Sequence, residues 1–284
     1  LPDSPLMARR ARRQGKKVVY YGHSTMEDFK NSFIGSNLAA PLFKKWIRHC
    51  YRQGDVVITP TEYSRELLMK YDLHREIYAL TNGVDTEFFH KTEQAGGQFR
   101  VLFHIPVDKK VVISAGHLIR RKGILDFLET ARRMPDVLFL WFGGGNHALI
   151  PEEIKRAVAE KPENVIFAGF VPSIILRDAY SGADAFAFFS YEETEGIVVL
   201  EALSCEIPVI IRDIPVYDEW LEDGVQVRKA TDPDSYEQAL REILSGERQE
   251  EVLRRTRAGR ALAEEHSMKA TGERLYQIEQ NLYQ

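Results

Sequence analysis

Glu193-Thr194-Glu195-Gly196-Ile197-Val198-Val199-Leu200-Glu201 continues through Ala202-Leu203 to Ile207-Pro208-Val209-Ile210. Two carboxylates eight positions apart, Glu193 and Glu201, frame a short Gly-containing turn. The turn runs into an apolar helix and then a buried strand, so the start of a helix and two acids are aimed at one small volume. The exposed N–H groups and positive dipole end of a helix favour a phosphate. Carboxylates nearby suit the hydroxyls of a sugar. A nucleotide sugar needs both.

Outward from this segment, strand-like and helix-like stretches alternate almost throughout. Strands are expected at 17–21, 55–59 and 77–80, with helices at about 38–52 and 61–70. After the polar, Gly-rich stretch Lys91–Gln98, read as a linker, a second series follows. Its strands are expected at 110–115, 137–142, 165–168, 185–189 and 208–211. Helices at about 123–133, 152–160, 173–181 and 196–205 separate them, and 232–245 and about 249–282 also look helical. Alternation of this kind implies crossover units and parallel sheets. The expected class is α/β with two Rossmann-like domains: 1–98, whose three strands look cut at the front, and 99–265, with a C-terminal helix of about 266–284 packing back on the first.

Composition is that of a soluble globular chain: 284 residues, 44% apolar and 28% charged. No apolar run reaches the roughly 20 residues that cross a bilayer. Two cysteines, Cys50 and Cys205, suit a reducing cytoplasm and read as buried thiols. The net charge of −4 is uneven: residues 1–53 carry eleven Lys/Arg against three acids, a net +8 that leaves about −12 for the rest. The two ends therefore face different partners.

Ser114-Ala115-Gly116-His117-Leu118-Ile119-Arg120-Arg121-Lys122-Gly123 joins a strand to a helix start. Its three cations fit a diphosphate beyond a strand's carboxyl end, and fit a solvated basic loop equally well. Phe142-Gly143-Gly144-Gly145-Asn146 lets a ligand or a neighbouring backbone come close, or forms a plain tight turn. His23 follows the first strand and can hydrogen-bond a substrate or shuttle a proton, although such a histidine is more often structural. Asp232-Pro233-Asp234 resembles a D-x-D metal signature but reads better as a helix N-cap followed by Pro. The helix at 38–52 sets Lys44, Lys45, Arg48 and Arg52 opposite an apolar face of Leu42, Phe43, Trp46, Ile47 and Cys50. With Arg9, Arg10, Arg12, Arg13, Lys16 and Lys17 these cations form a region attractive to anionic lipid headgroups. A core helix with a solvated basic face explains the helix slightly better. No recognition motif supports nucleic acid.

Taken together these residues resemble glycosyltransferase family 4, retaining enzymes of the two-Rossmann GT-B fold. The E-x7-E motif matches Glu193 and Glu201, and N-G-V-D-x-x-x-F matches Asn82 through Phe88. N-V-x-F-x-G-x-V matches Asn164 through Val171, and A-D-x-F-x-x-x-S matches Ala183 through Ser190. Two runs, His23 to Phe29 and Arg212 to Tyr217, are similar to bacterial enzymes that glucosylate diacylglycerol or monoglucosyl-diacylglycerol.

The resemblance implies a retaining hexosyltransferase that moves glucose from a UDP-sugar to a membrane glycerolipid. A polysaccharide or small-molecule acceptor, or a non-catalytic nucleotide-sugar-binding fragment, are the alternatives. It implies that Glu201 binds the ribose and that Val171 contacts the base through its backbone. Lys122, with Arg121 beside it, would neutralise the diphosphate, joined by Gly116 and His117. Glu193 would hold the transferred sugar, helped by N–H groups around Gly196, Ile197 and Val198, and His23 would face that sugar from the other domain. Glu193, His23 and Lys122 are thus the expected catalytic residues. No essential metal or other cofactor is expected, and the expected location is cytoplasmic, peripheral on the inner face of the membrane. Three departures stand out. His117 replaces the usual Arg, Glu206 replaces the usual Gly, and roughly 60 residues of a front segment on the acceptor side are not in this chain.

Overall fold

The computed structural model describes residues 4–30, 35–145 and 150–283. The first unit is a three-stranded parallel sheet of β1 (Val19–Tyr21), β2 (Val56–Thr59) and β3 (Glu76–Ala79), in the order β1-β2-β3. The short helix α2 (Met26–Phe29) follows β1 after α1 (Ser4–Arg13). Helices α3 (Ser36–Tyr51) and α4 (Glu62–Met69) make the crossovers. Ile47, Cys50, Tyr51, Val57, Leu68 and Tyr71 form the buried core of this unit.

The second unit is a six-stranded sheet in the order β6-β5-β4-β7-β8-β9. Its strands are β4 (Val111–Ala115), β5 (Leu138–Phe142), β6 (Val165–Gly169), β7 (Ala185–Phe188), β8 (Val209–Arg212) and β9 (Arg228–Ala230), all paired in parallel. Val-Val-Ile-Ser-Ala in β4 and Leu-Phe-Leu-Trp-Phe in β5 are almost wholly buried, as strands covered by helices on both faces must be. The α/β class with two parallel Rossmann-like sets is therefore observed. From β4 the chain builds outward to β6, then returns to lay β7 on the other side of β4. That reversal opens a crevice beyond the carboxyl ends of β4 and β7, where open α/β sheets bind ligands.

One expectation needs correction. Residues 91–98 are not a loose linker: α5 (Glu93–Leu102) begins there, capped by Thr92, whose side chain accepts the N–H of Ala95. Gly96 serves close packing instead. A Cβ on Gly96 would lie 2.8 Å from the carbonyl oxygen of Ser181, and one on Gly182, at the end of α8 (Ser173–Gly182), would lie 2.6 Å from that of Gly96. The helical stretch expected at 249–282 consists of α11 (Gln249–Glu265) and α12 (Met268–Asn281), broken at Ser267, which caps α12. The break lets the chain cross back to the first unit. There Val84 donates to the His266 carbonyl (2.9 Å) and its own carbonyl accepts from Met268 (3.0 Å). Asp232 caps α10 (Pro233–Leu244) in a capping box, and both cysteines are buried thiols. Glu206 has φ 53°, the left-handed backbone that the family's usual Gly adopts without strain.

Because the α5–α8 contact leaves no room for a methyl group, Gly96→Ala should lower unfolding free energy by about 1–3 kcal/mol. Urea denaturation of the variant against the parent measures this. Gly97→Ala, where nothing lies within 4 Å of the added carbon, should be neutral or slightly stabilising.

Candidate active site

Two loops meet in the crevice. After β4 the chain passes Gly116–Ile119 and makes one 3-10 turn, Arg120–Lys122, closed by Gly123 at φ 73°. A Cβ on Gly123 would lie 2.1 Å from the Phe189 carbonyl oxygen, so only glycine allows this loop to lie on the end of β7. The Tyr191 N–H donates to the Arg121 carbonyl at 2.8 Å and locks the two loops together. The Lys122 ammonium is thereby paired with the carboxylate of Glu193, which also accepts from Ser190 Oγ at 2.5 Å. Arg121 Nη1 stands 3.7 Å from the other Glu193 oxygen. Burial raises the pKa of this carboxyl, which is only 7% exposed. Lys122, Arg121 and the hydrogen bonds from Lys122 and Ser190 outweigh that effect and hold it below the ordinary value. Glu193 is an ionised, fully oriented acceptor.

A cavity of about 400 Å³ opens beside this pair. Of the expected site residues, Gly116, His117, Lys122, Val171, Glu193, Gly196, Ile197 and Val198 line it. Gly196, at φ 81°, precedes α9 (Ile197–Ser204), whose first N–H groups have no partner within the helix. The glycine run after β5 permits close backbone approach: a Cβ on Gly143 would lie 2.3 Å from the Gly116 carbonyl oxygen. Asn146 lies outside the described residues. His117 is exposed, its Nδ1 3.2 Å from the Gly144 carbonyl oxygen and its ring edge-on to Phe170.

Three expected residues stand elsewhere. Arg121 lines a neighbouring cavity and bonds Asp28 of α2 at 2.9 Å across the gap between the units. Glu201 lies one turn along α9 behind Val198, where Tyr180 Oη donates to its carboxylate and to the Val198 carbonyl, both at 3.2 Å. His23 is exposed on the first unit, its ring stacked on Tyr21 with centroids 6.0 Å apart, and is not in the cavity wall. Desolvation of the ring beside Tyr21 lowers its pKa even though the residue as a whole is exposed.

The loop between β7 and α9 also carries contacts that motif spacing did not single out. Tyr63 Oη donates to Glu192 at 2.9 Å, and Thr61 Oγ1 to the Thr194 carbonyl at 2.9 Å. Glu195, only 3% exposed, accepts from Thr81 Oγ1 and from the backbone and side-chain nitrogens of Asn82. The signal was present as three acids within four residues, but pairing them with Tyr63, Thr61 and Thr81 requires the fold.

Burial pushes the Glu201 carboxyl up to about 7, an effect that the Tyr180 hydrogen bond only partly offsets. A folded-state pKa above the unfolded value of 4.5 means that Glu201's contribution to stability is fully present below about pH 4.5 and lost as pH rises through about 7. The stability of the parent should therefore fall between pH 5 and 8 relative to Glu201→Gln, by about 3 kcal/mol at the upper end. Urea denaturation across that range measures the difference. A gap independent of pH would show that Glu201 stays ionised throughout.

Two family models match the chain: "Glycosyl transferases group 1" over residues 99–261 and "Glycosyltransferase Family 4" over residues 1–88. The chain is 38% identical over 266 residues to the processive diacylglycerol alpha-glucosyltransferase of Acholeplasma laidlawii, covering 93% of this chain and 79% of that enzyme. It is 28% identical over 221 residues to the alpha-galactosylglucosyldiacylglycerol synthase of Streptococcus pneumoniae, covering 74% of this chain and 58% of that one. In structure it superposes on sucrose-phosphate synthase from Thermosynechococcus elongatus with TM-score 0.82 at 19% identity, over 98% of this chain and 71% of that one. On Anabaena HepE in complex with UDP-glucose the score is 0.80 at 17% identity, over 97% of this chain and 75% of that one. With two parallel Rossmann-like sets, a cation–carboxylate pair at their crevice and these relatives, the chain belongs to the group 1 (family 4) glycosyltransferases of the GT-B fold.

Proposed function

We propose that this glycosyltransferase is a retaining hexosyltransferase that moves glucose from UDP-glucose to a membrane glycerolipid. The observation that carries the donor reading is the Lys122–Glu193 pair at the start of α9. It sets a cation for a diphosphate beside an ionised carboxylate and helix-start N–H groups for sugar hydroxyls. In transfer, the bond from the anomeric carbon to the diphosphate oxygen breaks and both electrons leave on UDP. The acceptor hydroxyl oxygen bonds to that carbon, and its proton passes to the departing phosphate oxygen. Charge grows on the phosphates as the bond breaks, and Lys122, with Arg121 behind it, stabilises that charge. Glu193 fixes the sugar, Gly196, Ile197 and Val198 supply N–H groups, and Gly116 lets the loop approach. Val171 meets the base, Glu201 the ribose, and His117 stands in the usual arginine's place on the diphosphate. His23 meets the sugar from the first unit once the cleft closes. With this counter-charge supplied by the protein, no metal is needed.

The lipid reading is supported by α3. Its expected apolar face divides: Ile47 and Cys50 are buried, whereas Leu38, Leu42 and Trp46 are 89%, 69% and 43% exposed, four residues apart along one line. Lys44 and Lys45 lie within the same stretch, and α1 adds exposed Leu6 and Met7 among its arginines. Apolar side chains among cations suit a location on an anionic lipid surface, at the inner face of the cell membrane. No helix among the described residues is long and apolar enough to cross a bilayer. Both curated relatives carry diacylglycerol lipids in their names, which fits the same acceptor class.

Transfer from UDP-glucose to lipid acceptor should lose about 10²–10³-fold in kcat in Lys122→Ala, since its charge acts mainly in the transition state. Glu201→Ala should chiefly raise KM for the donor. Chelation should leave the rate unchanged. Co-sedimentation with phosphatidylglycerol vesicles should be salt-sensitive and weakened by Leu42→Ser/Trp46→Ser. Parent-like transfer by Lys122→Ala would refute the site, and salt-independent or absent vesicle binding would point to a non-lipid acceptor.

A further inference from the structure

Glu195 belongs to the second unit, between the proposed sugar carboxylate Glu193 and the turn at Gly196. Yet its hydrogen-bond donors, Thr81 and Asn82, are all in the first unit. The Asn82 backbone N–H lies 3.2 and 3.3 Å from the two Glu195 oxygens. Burial raises the pKa of the Glu195 carboxyl, an effect that the Thr81 and Asn82 donors and the neighbouring His266 only partly offset. A carboxylate that is 3% exposed is costly to leave without such donors. Thr81 and Asn82 of the first unit thus supply the donors that satisfy Glu195 within the 193–196 turn. The two adjacent ties, Thr61 to the Thr194 carbonyl and Tyr63 to Glu192, run in the same direction. By contrast, the hydrogen bonds that hold Tyr180 and Glu201, behind the cavity wall at Val198, lie within α8 and α9 of the second unit, and Val171 of the cavity wall follows β6 of the same unit.

We propose that Glu195 is a positioning residue that makes the sugar half of the donor cavity, but not its nucleotide half, depend on the seating of the first unit. The Glu195–Thr81–Asn82 cluster orients the peptide groups on either side, so the N–H groups of Gly196 and Ile197 face the hexose only when the units are docked, while Lys122 and Ser190 hold Glu193 from the second unit. A nucleotide without sugar has no need of that arrangement. This rests on reading the cavity as a UDP-sugar site.

The test titrates UDP and UDP-glucose separately, by calorimetry, into the parent and into Thr81→Val, Thr81→Ser and Glu195→Gln. Thr81 is chosen because it does not line the donor cavity, unlike Asn82 and Glu195, so the Thr81 variants decide the test. Thr81→Val and Glu195→Gln should weaken UDP-glucose binding about tenfold while leaving UDP within twofold of the parent. Thr81→Ser, which keeps the hydroxyl, should bind both like the parent. Equal losses for the two ligands in Thr81→Val, or no loss for either, would overturn the proposal and leave Glu195 a plain structural tie. A parent that binds neither ligand would instead overturn the donor reading, and this inference with it. If Glu195→Gln fails to fold, the Thr81→Val and Thr81→Ser pair decides between the same outcomes.

Discussion

A buried lysine–carboxylate pair is stable only when its geometry is good and its remaining polar atoms are satisfied, because both charges have left water. The Lys122–Glu193 pair meets that condition through Ser190, which donates to the same carboxylate, and Arg121, which stands 3.7 Å from its other oxygen. Much of the second unit serves this requirement. The strand order puts β4 beside β7, so the loops that follow them converge. Gly123 removes the one Cβ that would keep them apart, and the Arg121–Tyr191 backbone bond sets their register. The outcome is a carboxylate held below its usual pKa, next to a helix start and a cation.

The same loop is tied in the other direction. Glu192, Thr194 and Glu195 each meet a side chain of the first unit, and Asp28 of that unit reaches Arg121. Within the run 192 to 195, Glu193 is thus held by the second unit and its neighbours by the first. Backbone hydrogen bonds also join the units at Val84, His266 and Met268, and Val84 and Phe89 pack into the core of the second unit. The units are thus fastened by polar side chains around the 192–195 loop and by apolar packing at Val84 and Phe89.

Most of the layout was legible in the residues. Apolar runs such as Val56-Val57-Ile58 and Val111-Val112-Ile113 are buried strands because only a sheet covered on both faces tolerates them, and the structure places each within a residue or two of its expected limits. The capping box at Asp232 was readable for the same reason, being a purely local hydrogen-bond pattern. What failed was non-local. Gly96 and Gly97 signalled a linker because glycine is a helix breaker in isolation. The tight approach of α5 to α8, which decides the role of Gly96, is invisible along the chain. On α3, periodicity identified one apolar face without distinguishing the buried Ile47 and Cys50 from Leu38, Leu42 and Trp46, which are left exposed.

The candidate site divides in the same way. The sequence by itself determined which residues end the strands: Gly116 to Lys122 after β4, Glu193 to Val198 after β7, Val171 after β6. These positions follow from local alternation of strand and helix, and the family resemblance named their chemistry. Only the tertiary structure decided that Arg121 turns to Asp28, that Glu201 sits behind Val198 against Tyr180, and that His23 stays outside the cavity wall. It alone revealed Glu195 as the acid joined to the other unit. A side chain's partner across more than 100 residues is set by how whole elements dock, and docking energy is a property of surfaces that a linear pattern does not contain.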